Sequence, residues 1–137
     1  MKNVLFLCTG NSCRSQMAEG WLKSLWKAGQ VDSAGLEAHG KNPRAIQVMA
    51  EAGIDISAQD STRLTPDMLA AADVVVTVCG HADEQCPALP ATTRKFHWPL
   101  PDPARAVGDD EEILMQFRAV RDDIQGRVQA LVKDLSS

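Results

Sequence analysis

Several features that are common in proteins are missing from this 137-residue sequence, and these absences reduce the number of functions it could have. Tyrosine is absent, and only three phenylalanines and three tryptophans are present. Lysine and arginine form no cluster and the net charge is −4, which argues against nucleic acid as a partner. No apolar run approaches the ~20 residues of a membrane span. The apolar segment 4–7 is also too short for a signal peptide. We therefore expect one cytoplasmic domain over residues 1–137, with no membrane partner.

The chain contains four cysteines. Thiols in the cytoplasm are kept reduced, so structural disulfides do not account for them there. Cysteines in that compartment indicate catalysis or metal binding more than structural disulfides. Zinc ligands usually come in close pairs, two to four residues apart. Cys8 and Cys13 lie at the edge of that spacing, Cys79 and Cys86 lie outside it, and the three histidines are scattered. We therefore expect no metal site built from these cysteines.

Short apolar segments alternate with amphipathic ones along the whole chain. This alternation predicts an α/β domain with three layers, in which helices cover both faces of a four-stranded parallel sheet. The predicted strands cover residues 3–8, 31–34, 74–78 and 95–98. The predicted helices cover residues 15–28, with Gly29 as the stop, then the segment from Asn42-Pro43 to Gly53, residues 66–71 with Thr65 as cap, and 109–134.

Three of the predicted helices have an apolar face that can be assigned from spacing. In the first helix, Met17, Trp21, Leu25 and Ala28 are expected to share one face. In the second helix, Ile46, Met49 and Ala50 are expected to face inward. The last helix has an unbroken series of apolar residues at intervals of three or four, which predicts a long buried stripe. The residues of that stripe are Ile113, Phe117, Val120, Ile124, Val128, Leu131 and Leu135.

The most informative segment is CTGNSCRS, residues 8–15, which follows the first predicted strand directly. A loop between a strand and a helix N-terminus offers backbone N–H groups to an oxyanion, and the helix dipole adds positive charge. Arg14 can bind two oxygens at once, while the same field favours the thiolate of Cys8, to which Ser15 can donate a hydrogen bond. We therefore predict a thiolate nucleophile beneath an oxyanion site. The predicted oxyanion-binding residues are Thr9, Gly10, Asn11, Ser12, Cys13, Arg14 and Ser15.

Two other chemically able residues are expected on the same rim of the sheet. Ligands bind outside the carboxyl ends of parallel strands, where Cys8 and Cys79 both lie. Asp102 follows the last strand, held between Pro101 and Pro103. It is either a general acid or a turn former, and its spacing alone does not decide between the two.

Cys79 and Cys86 lie in a polar segment bracketed by Gly80 and Pro87. They are either packing residues or members of a thiol relay in which Cys79 attacks Cys8 and Cys86 attacks Cys79. The polar neighbours favour the relay. A turn or two of helix between Cys79 and Cys86 would separate them, and bringing them together would then require that segment to unwind. Cys13 is expected to turn away from the loop and to serve structure.

Together, residues 8–15, the pair Cys79 and Cys86, and Asp102-Pro103 resemble the thioredoxin-coupled arsenate reductases. These enzymes share their fold with the low-molecular-weight protein tyrosine phosphatases. The similarity covers the whole chain, including residues 33–35, 53–57, 75–77, 97–98 and 102–104. The resemblance implies a single domain of this fold and a role in arsenic detoxification.

The mechanism that the resemblance implies begins with arsenate, or phosphate or sulfate as mimics, in the loop. Cys8 attacks arsenic while Asp102 protonates the leaving oxygen. Cys79 then attacks Cys8 and arsenite leaves. Cys86 next attacks Cys79, and thioredoxin reduces the resulting disulfide. The spacing of the cysteines favours thioredoxin as the reductant over glutaredoxin.

The resemblance is incomplete at a cation site. Some family members bind potassium through residues that match Asn11, Glu19 and Ser33, but a further aspartate of the family falls at Thr62. Potassium is therefore not expected to be required.

Two other functions stay open at this point. A phosphatase needs only Cys8, Arg14 and Asp102, although phosphatases of this fold often carry tyrosines near the acid loop and this chain has none. A non-enzymatic redox switch would need only the pairing of Cys79 with Cys86.

Overall fold

A computed structural model describes residues 2–136, and at its centre lies a four-stranded sheet. The strands are β1 (Lys2–Cys8), β2 (Gly29–Gly35), β3 (Val74–Thr77) and β4 (Arg94–His97). Their order is β2-β1-β3-β4, and every neighbouring pair is parallel. The predicted parallel sheet is confirmed.

The helices are α1 (Arg14–Leu25), α2 (Pro43–Glu51), α3 (Pro66–Ala71), α4 (Gly80–Gln85) and α5 (Asp110–Ser136), with a 3-10 turn at Pro103–Arg105. In β1 the five consecutive residues 4–8 are buried, and in β3 all four residues are buried. Since successive side chains of a strand point to opposite faces, both faces of these central strands are covered. The prediction of three layers is confirmed by this burial. Among residues 2–136, no helix has the length and apolar character needed to cross a membrane.

The longest helix supplies much of the core, as its spacing predicted. Six of the seven residues in the predicted stripe are buried, and only Ile113 is half-buried. Helix α5 packs against α1 and α2, and the indole N–H of Trp21 donates to the carbonyl oxygen of Arg121 at 3.2 Å.

The end of α1 was predicted wrongly. Met17 and Trp21 are buried as expected, but Leu25 and Ala28 are exposed. The helix stops at Leu25, because Trp26 has an extended backbone, and Gly29 begins β2 instead of ending a helix. A Cβ atom at Gly29 would overlap the carbonyl oxygen of Lys2 and the ring of Trp26. Gly29 therefore allows two chain segments to approach closely.

The inward face of α2 was also assigned wrongly in part. Met49 is buried as predicted, but Ala50 is exposed and Ile46 is half-buried. Ala45 and Val48 take the inward places. Residues at i, i+3 and i+4 share one helix face, so a face centred on Ala45, Val48 and Met49 leaves Ala50 outside it.

Candidate active site

The anion loop, residues 9–15, joins β1 to α1 at the carboxyl end of the central strand. A neighbouring segment, residues 36–42, runs alongside and donates four backbone hydrogen bonds to carbonyl oxygens of Cys8 and the loop. These carbonyl oxygens are therefore paired with the neighbouring segment, which fixes the path of the loop backbone. The bonds measure 2.9–3.1 Å and join the N–H groups of Leu36, Glu37, His39 and Asn42 to the oxygens of Cys8, Thr9, Gly10 and Ser12. The sequence prediction did not include this second segment.

Asn11 supports the turn of the loop. Its φ is 48°, in the left-handed region that is uncommon for residues other than glycine but is tolerated by asparagine. Its carbonyl oxygen accepts hydrogen bonds from Gln16 Nε2 and Ser61 Oγ, each at 3.1 Å. The turn at Asn11 therefore depends in part on a residue distant in sequence, Ser61.

Cys8 Sγ receives two hydrogen bonds beneath the loop. The N–H of Asn11 donates at 3.0 Å, and the hydroxyl of Ser15 lies 2.8 Å away. Cys8 is buried, with 3% of its surface exposed. Hydrogen bonds to a charged acceptor are among the stronger ones, so both donors stabilise negative charge on this sulfur. The contact between Ser15 and Cys8 is the one expected from sequence.

The side chain of Asn11 continues this network away from the cavity. It is fully buried, and its Nδ2 donates to Ser15 Oγ at 2.8 Å and to Ser33 Oγ at 2.9 Å. Its Oδ1 accepts from the N–H of Thr62 at 2.7 Å. Ser33 in turn donates to Glu19 Oε1 at 2.5 Å.

This arrangement does not fit a potassium ion at Asn11, Glu19 and Ser33. Asn11 turns its N–H groups toward Ser33, and its oxygen is occupied by Thr62. The carboxylate of Glu19 is already bonded to Ser33 and to the ammonium group of Lys23. The ammonium group of Lys23 therefore already supplies a positive charge beside this carboxylate, where a cation would otherwise be bound by oxygen ligands. Residues 2–136 also contain no group of three or more His, Cys, Asp or Glu side chains placed to hold a metal ion.

Arg14 and Asp102 meet at the edge of the loop. Arg14 Nη1 donates to the carbonyl oxygen of Leu100 at 3.1 Å, and its Nη2 lies 3.7 Å from Asp102 Oδ2. The other oxygen of Asp102 accepts from the N–H of Ala104 at 3.0 Å and so caps the 3-10 turn. Asp102 is therefore a turn former, and its other oxygen lies beside Arg14 and Arg105. Its role as a general acid stays a prediction.

An open cavity of about 670 Å³ lies over the loop. Cys13 lines it, although it was expected to turn away from the loop, and burial raises the pKa of its thiol to about 11. Cys13 therefore stays a neutral thiol near pH 7. His39 and His81 also line the cavity, and sequence reasoning gave them no role. Asn11, Ser15 and Cys86 do not line it. The predicted site residues that share this cavity are Cys8, Thr9, Gly10, Ser12, Cys13, Arg14, Cys79 and Asp102.

Cys79 lies across this cavity from the anion loop. It is the N-cap of α4, is 4% exposed, and accepts a hydrogen bond from the N–H of Ala82 at 3.3 Å. Its Sγ lies 3.3 Å from the hydroxyl oxygen of Thr9 in the loop. The structure therefore places a second free sulfur beside the nucleophile's loop.

Cys86 is not brought to this cavity. It is the C-cap of α4, at the other end of the helix from Cys79, and is half-buried. Desolvation raises the pKa of its thiol. At ~1.5 Å rise per residue, seven residues of helix separate the two α-carbons by roughly 10 Å. A disulfide needs about 5.5–6 Å, so α4 must unwind before the two sulfurs can bond.

One ion pair holds α4 in place. Asp83 Oδ1 lies 2.8 Å from Lys95 Nζ on β4 and accepts a hydrogen bond from Thr77 Oγ1 at 3.1 Å. The bond from Lys95, followed by that from Thr77, lowers the pKa of Asp83. The residue between the two cysteines is therefore charged near neutral pH and tied to the sheet.

The chain is similar to known proteins over nearly its whole length. The family model for low molecular weight phosphotyrosine protein phosphatase matches residues 3–137. An arsenate reductase of Halalkalibacterium halodurans is 53% identical over 133 residues, which is 96% of each protein. One of Bacillus subtilis strain 168 is 53% identical over 132 residues, which is 93% of each.

Solved structures give the same result. An arsenate reductase in the phosphate binding state superposes with a TM-score of 0.78 at 40% identity and covers 98% of both chains. An arginine phosphatase from Geobacillus stearothermophilus superposes with a TM-score of 0.83 at 27% identity, over 99% of this chain and 94% of its own. By its sequence over nearly its whole length and by its fold, the chain belongs to the low molecular weight phosphotyrosine protein phosphatase family.

Proposed function

We propose that this protein reduces arsenate to arsenite through a relay of Cys8, Cys79 and Cys86. The observation that carries the proposal is the presence of two free sulfurs on one cavity, one of them beneath a loop built for a tetrahedral anion. A hydrolase of this fold needs only the first sulfur. The curated relatives at 53% identity are named arsenate reductases, which supports the same assignment.

The first step is binding and attack. Arsenate enters the loop, where backbone N–H groups and the guanidinium of Arg14 bind its oxygens. The Cys8 thiolate attacks arsenic and forms an S–As bond. Asp102, beside Arg14, gives a proton to the departing oxygen, which leaves as water. Arsenic stays in the +5 state in this step.

The second step transfers two electrons to arsenic. Cys79, deprotonated, attacks Cys8 Sγ, and an S–S bond forms as the S–As bond breaks. The electron pair of the broken bond stays on arsenic, which leaves as arsenite in the +3 state. The contact between Cys79 and Thr9 supports this step, because it places the attacking sulfur against the loop that holds the adduct.

The third step moves the disulfide outward. The thiolate of Cys86 attacks Cys79, forms a Cys79–Cys86 bond and releases Cys8 as a thiolate. This requires α4 to unwind, and a helix of six residues in which only Ala82 is buried makes such a change feasible. An external dithiol then reduces the new disulfide.

We propose thioredoxin as that dithiol. A thioredoxin-dependent arsenate reductase from Corynebacterium glutamicum superposes with a TM-score of 0.79 at 30% identity, and this chain covers 64% of it. Glutaredoxin is the alternative reductant. The relay works only where thiols are kept reduced, so we place the protein in the cytoplasm.

The test is an arsenate-dependent assay of NADPH consumption with thioredoxin and thioredoxin reductase. The wild type and the Cys13→Ser variant should turn over, whereas Cys8→Ser, Cys79→Ser and Cys86→Ser should not. Cys86→Ser should complete one turnover and stop with a Cys8–Cys79 disulfide, visible by mass spectrometry. Absence of turnover in fully reduced wild type would reject the proposal.

A phosphatase is the second candidate, because the structure of an arginine phosphatase superposes as well as that of an arsenate reductase. Hydrolysis of p-nitrophenyl phosphate should require Cys8 and Arg14 but should be unchanged in Cys79→Ser. A phosphatase rate that greatly exceeds arsenate turnover would favour this second function.

A further inference from the structure

The carboxylate of Glu19 is a buried charge close to, but outside, the catalytic cavity. Only 7% of its side chain is exposed. A buried carboxylate must be paired or hydrogen-bonded, since an isolated buried charge is strongly unfavourable. Here one oxygen accepts from Ser33 at 2.5 Å, and the other lies 2.5 Å from the ammonium nitrogen of Lys23. Lys23 follows one turn later on α1, with 48% of its side chain exposed.

Glu19 is linked to the nucleophile by consecutive hydrogen bonds. Ser33 donates to Glu19, and Asn11 Nδ2 donates to both Ser33 and Ser15, at 2.9 and 2.8 Å. Ser15 Oγ lies 2.8 Å from Cys8 Sγ. The described residues thus contain an unbroken path from the ammonium group of Lys23 to the sulfur.

The direction of each bond on this path is determined by the charge at its end. A carboxylate only accepts, so the single hydroxyl proton of Ser33 must point at Glu19. The oxygen of Ser33 then accepts from Asn11, whose second N–H is given to Ser15. Ser15 already accepts from Asn11, and its own proton is left for Cys8. A charged Glu19 therefore orients the proton of Ser15 toward the thiolate.

We propose that Lys23 is an internal cation that neutralises Glu19 and thereby positions Ser15 toward Cys8, in the role that a bound monovalent cation would otherwise have. Lys23 and Glu19 are positioning residues, because neither touches the cavity over the loop. The inference rests on the proposed function in treating Cys8 as the nucleophile. It also accounts for the positive charge that the ammonium group of Lys23 already places at this carboxylate.

The test measures the alkylation rate of Cys8 by iodoacetamide near pH 7, with mass spectrometry to separate Cys8 from Cys13. Rates are compared in potassium chloride and in choline chloride at equal ionic strength. The wild type should show equal rates in both salts. Lys23→Met should react on the order of tenfold more slowly in choline chloride. Potassium should restore most of that loss, because it can pair with the oxygen of Glu19 that Lys23 no longer occupies.

Three variants serve as controls. Lys27→Met removes an exposed lysine of the same region that has no ion pair among residues 2–136, and it should match the wild type. Lys23→Arg keeps the positive charge and should restore the rate without potassium. In Glu19→Gln the charge that needs neutralising is gone, so adding Lys23→Met to that variant should change nothing further.

An unchanged rate in folded Lys23→Met, or a loss that potassium does not restore, would overturn the proposal. So would a potassium response that persists in the Glu19→Gln, Lys23→Met double variant. Thermal unfolding checks that each variant is folded, and the double variant tests the idea even if Lys23→Met alone is unstable. The assay contains no arsenate, so a failure of arsenate reduction in the wild type is a separate result.

Discussion

Replacing Gly35 by alanine should damage the anion loop although Gly35 lies outside it. Gly35 ends β2 and pairs with Cys8 in the sheet register. A Cβ atom there would lie 2.6 Å from the nitrogen of Asn11, 2.8 Å from the oxygen of Thr9, and closer still to the oxygen of Glu37. All three are backbone atoms, which cannot rotate away as a side chain can.

The size of the effect follows from these distances. Ordinary contact begins at 3.4 Å, so the loop would have to retreat by about 0.6 to 0.8 Å. The Asn11 N–H donates to Cys8 Sγ at 3.0 Å, and that bond would lengthen or break. Overpacking of this kind destabilises a fold by about 1–3 kcal/mol. A displacement approaching 1 Å at a reacting centre lowers activity by up to about a hundredfold.

The assay combines urea unfolding with phosphate binding by calorimetry and the rate of Cys8 alkylation. Gly126→Ala is the matched control. Gly126 is exposed within α5, and a Cβ atom there meets nothing within 4 Å. The Gly126→Ala substitution should raise the free energy of unfolding by about 0.5–1 kcal/mol and leave phosphate binding unchanged. If Gly35→Ala binds phosphate with the wild-type affinity and its Cys8 is alkylated at the wild-type rate, the reasoning is refuted.

Three further outcomes are expected. Ser15→Ala should slow alkylation of Cys8 about ten- to hundredfold, since a hydrogen bond to a charged group contributes about 1.5–3 kcal/mol; an unchanged rate would contradict the assigned donor. Because burial raises the pKa of Cys86, its thiolate is scarce at pH 7, and closure of the outer disulfide in stopped-flow experiments should quicken about tenfold per pH unit up to pH 9. A flat profile would argue against Cys86 as the attacking thiol. Asp83→Asn should speed amide exchange over residues 80–85 at pH 7, because it weakens the bond to Lys95. The pKa of Asp83 is lowered in the folded protein, so its bond to Lys95 stabilises α4 at any pH above the ordinary pKa of aspartate. This stabilisation is lost as the pH falls through the pKa of the folded state, and there the exchange rates of variant and wild type should converge.

The parts of the fold that could be predicted are those whose sequence pattern lies within a single strand, helix or loop. Burial on both faces makes β1 and β3 continuous apolar runs, and one face of α5 repeats every three or four residues, so both patterns are visible in sequence. The nucleophile's loop is likewise a run of consecutive residues. Errors fell where a distant contact decided the outcome, as at Gly29, which is required by the approach of Lys2 and Trp26.

The sequence by itself determined the α/β class and the place of residues 9–15 between the first strand and the first helix, and it predicted which cysteines react. The tertiary structure decided how the loop is oriented, because its carbonyl oxygens are bonded by a segment about 30 residues away. It also decided that Cys13 lines the cavity and that α4 separates Cys79 from Cys86. The path from Lys23 to Cys8 crosses α1, β2 and the loop, so no local pattern could reveal it. Spacing predicts which side chains share a face of one element, whereas hydrogen bonds between elements depend on how those elements pack.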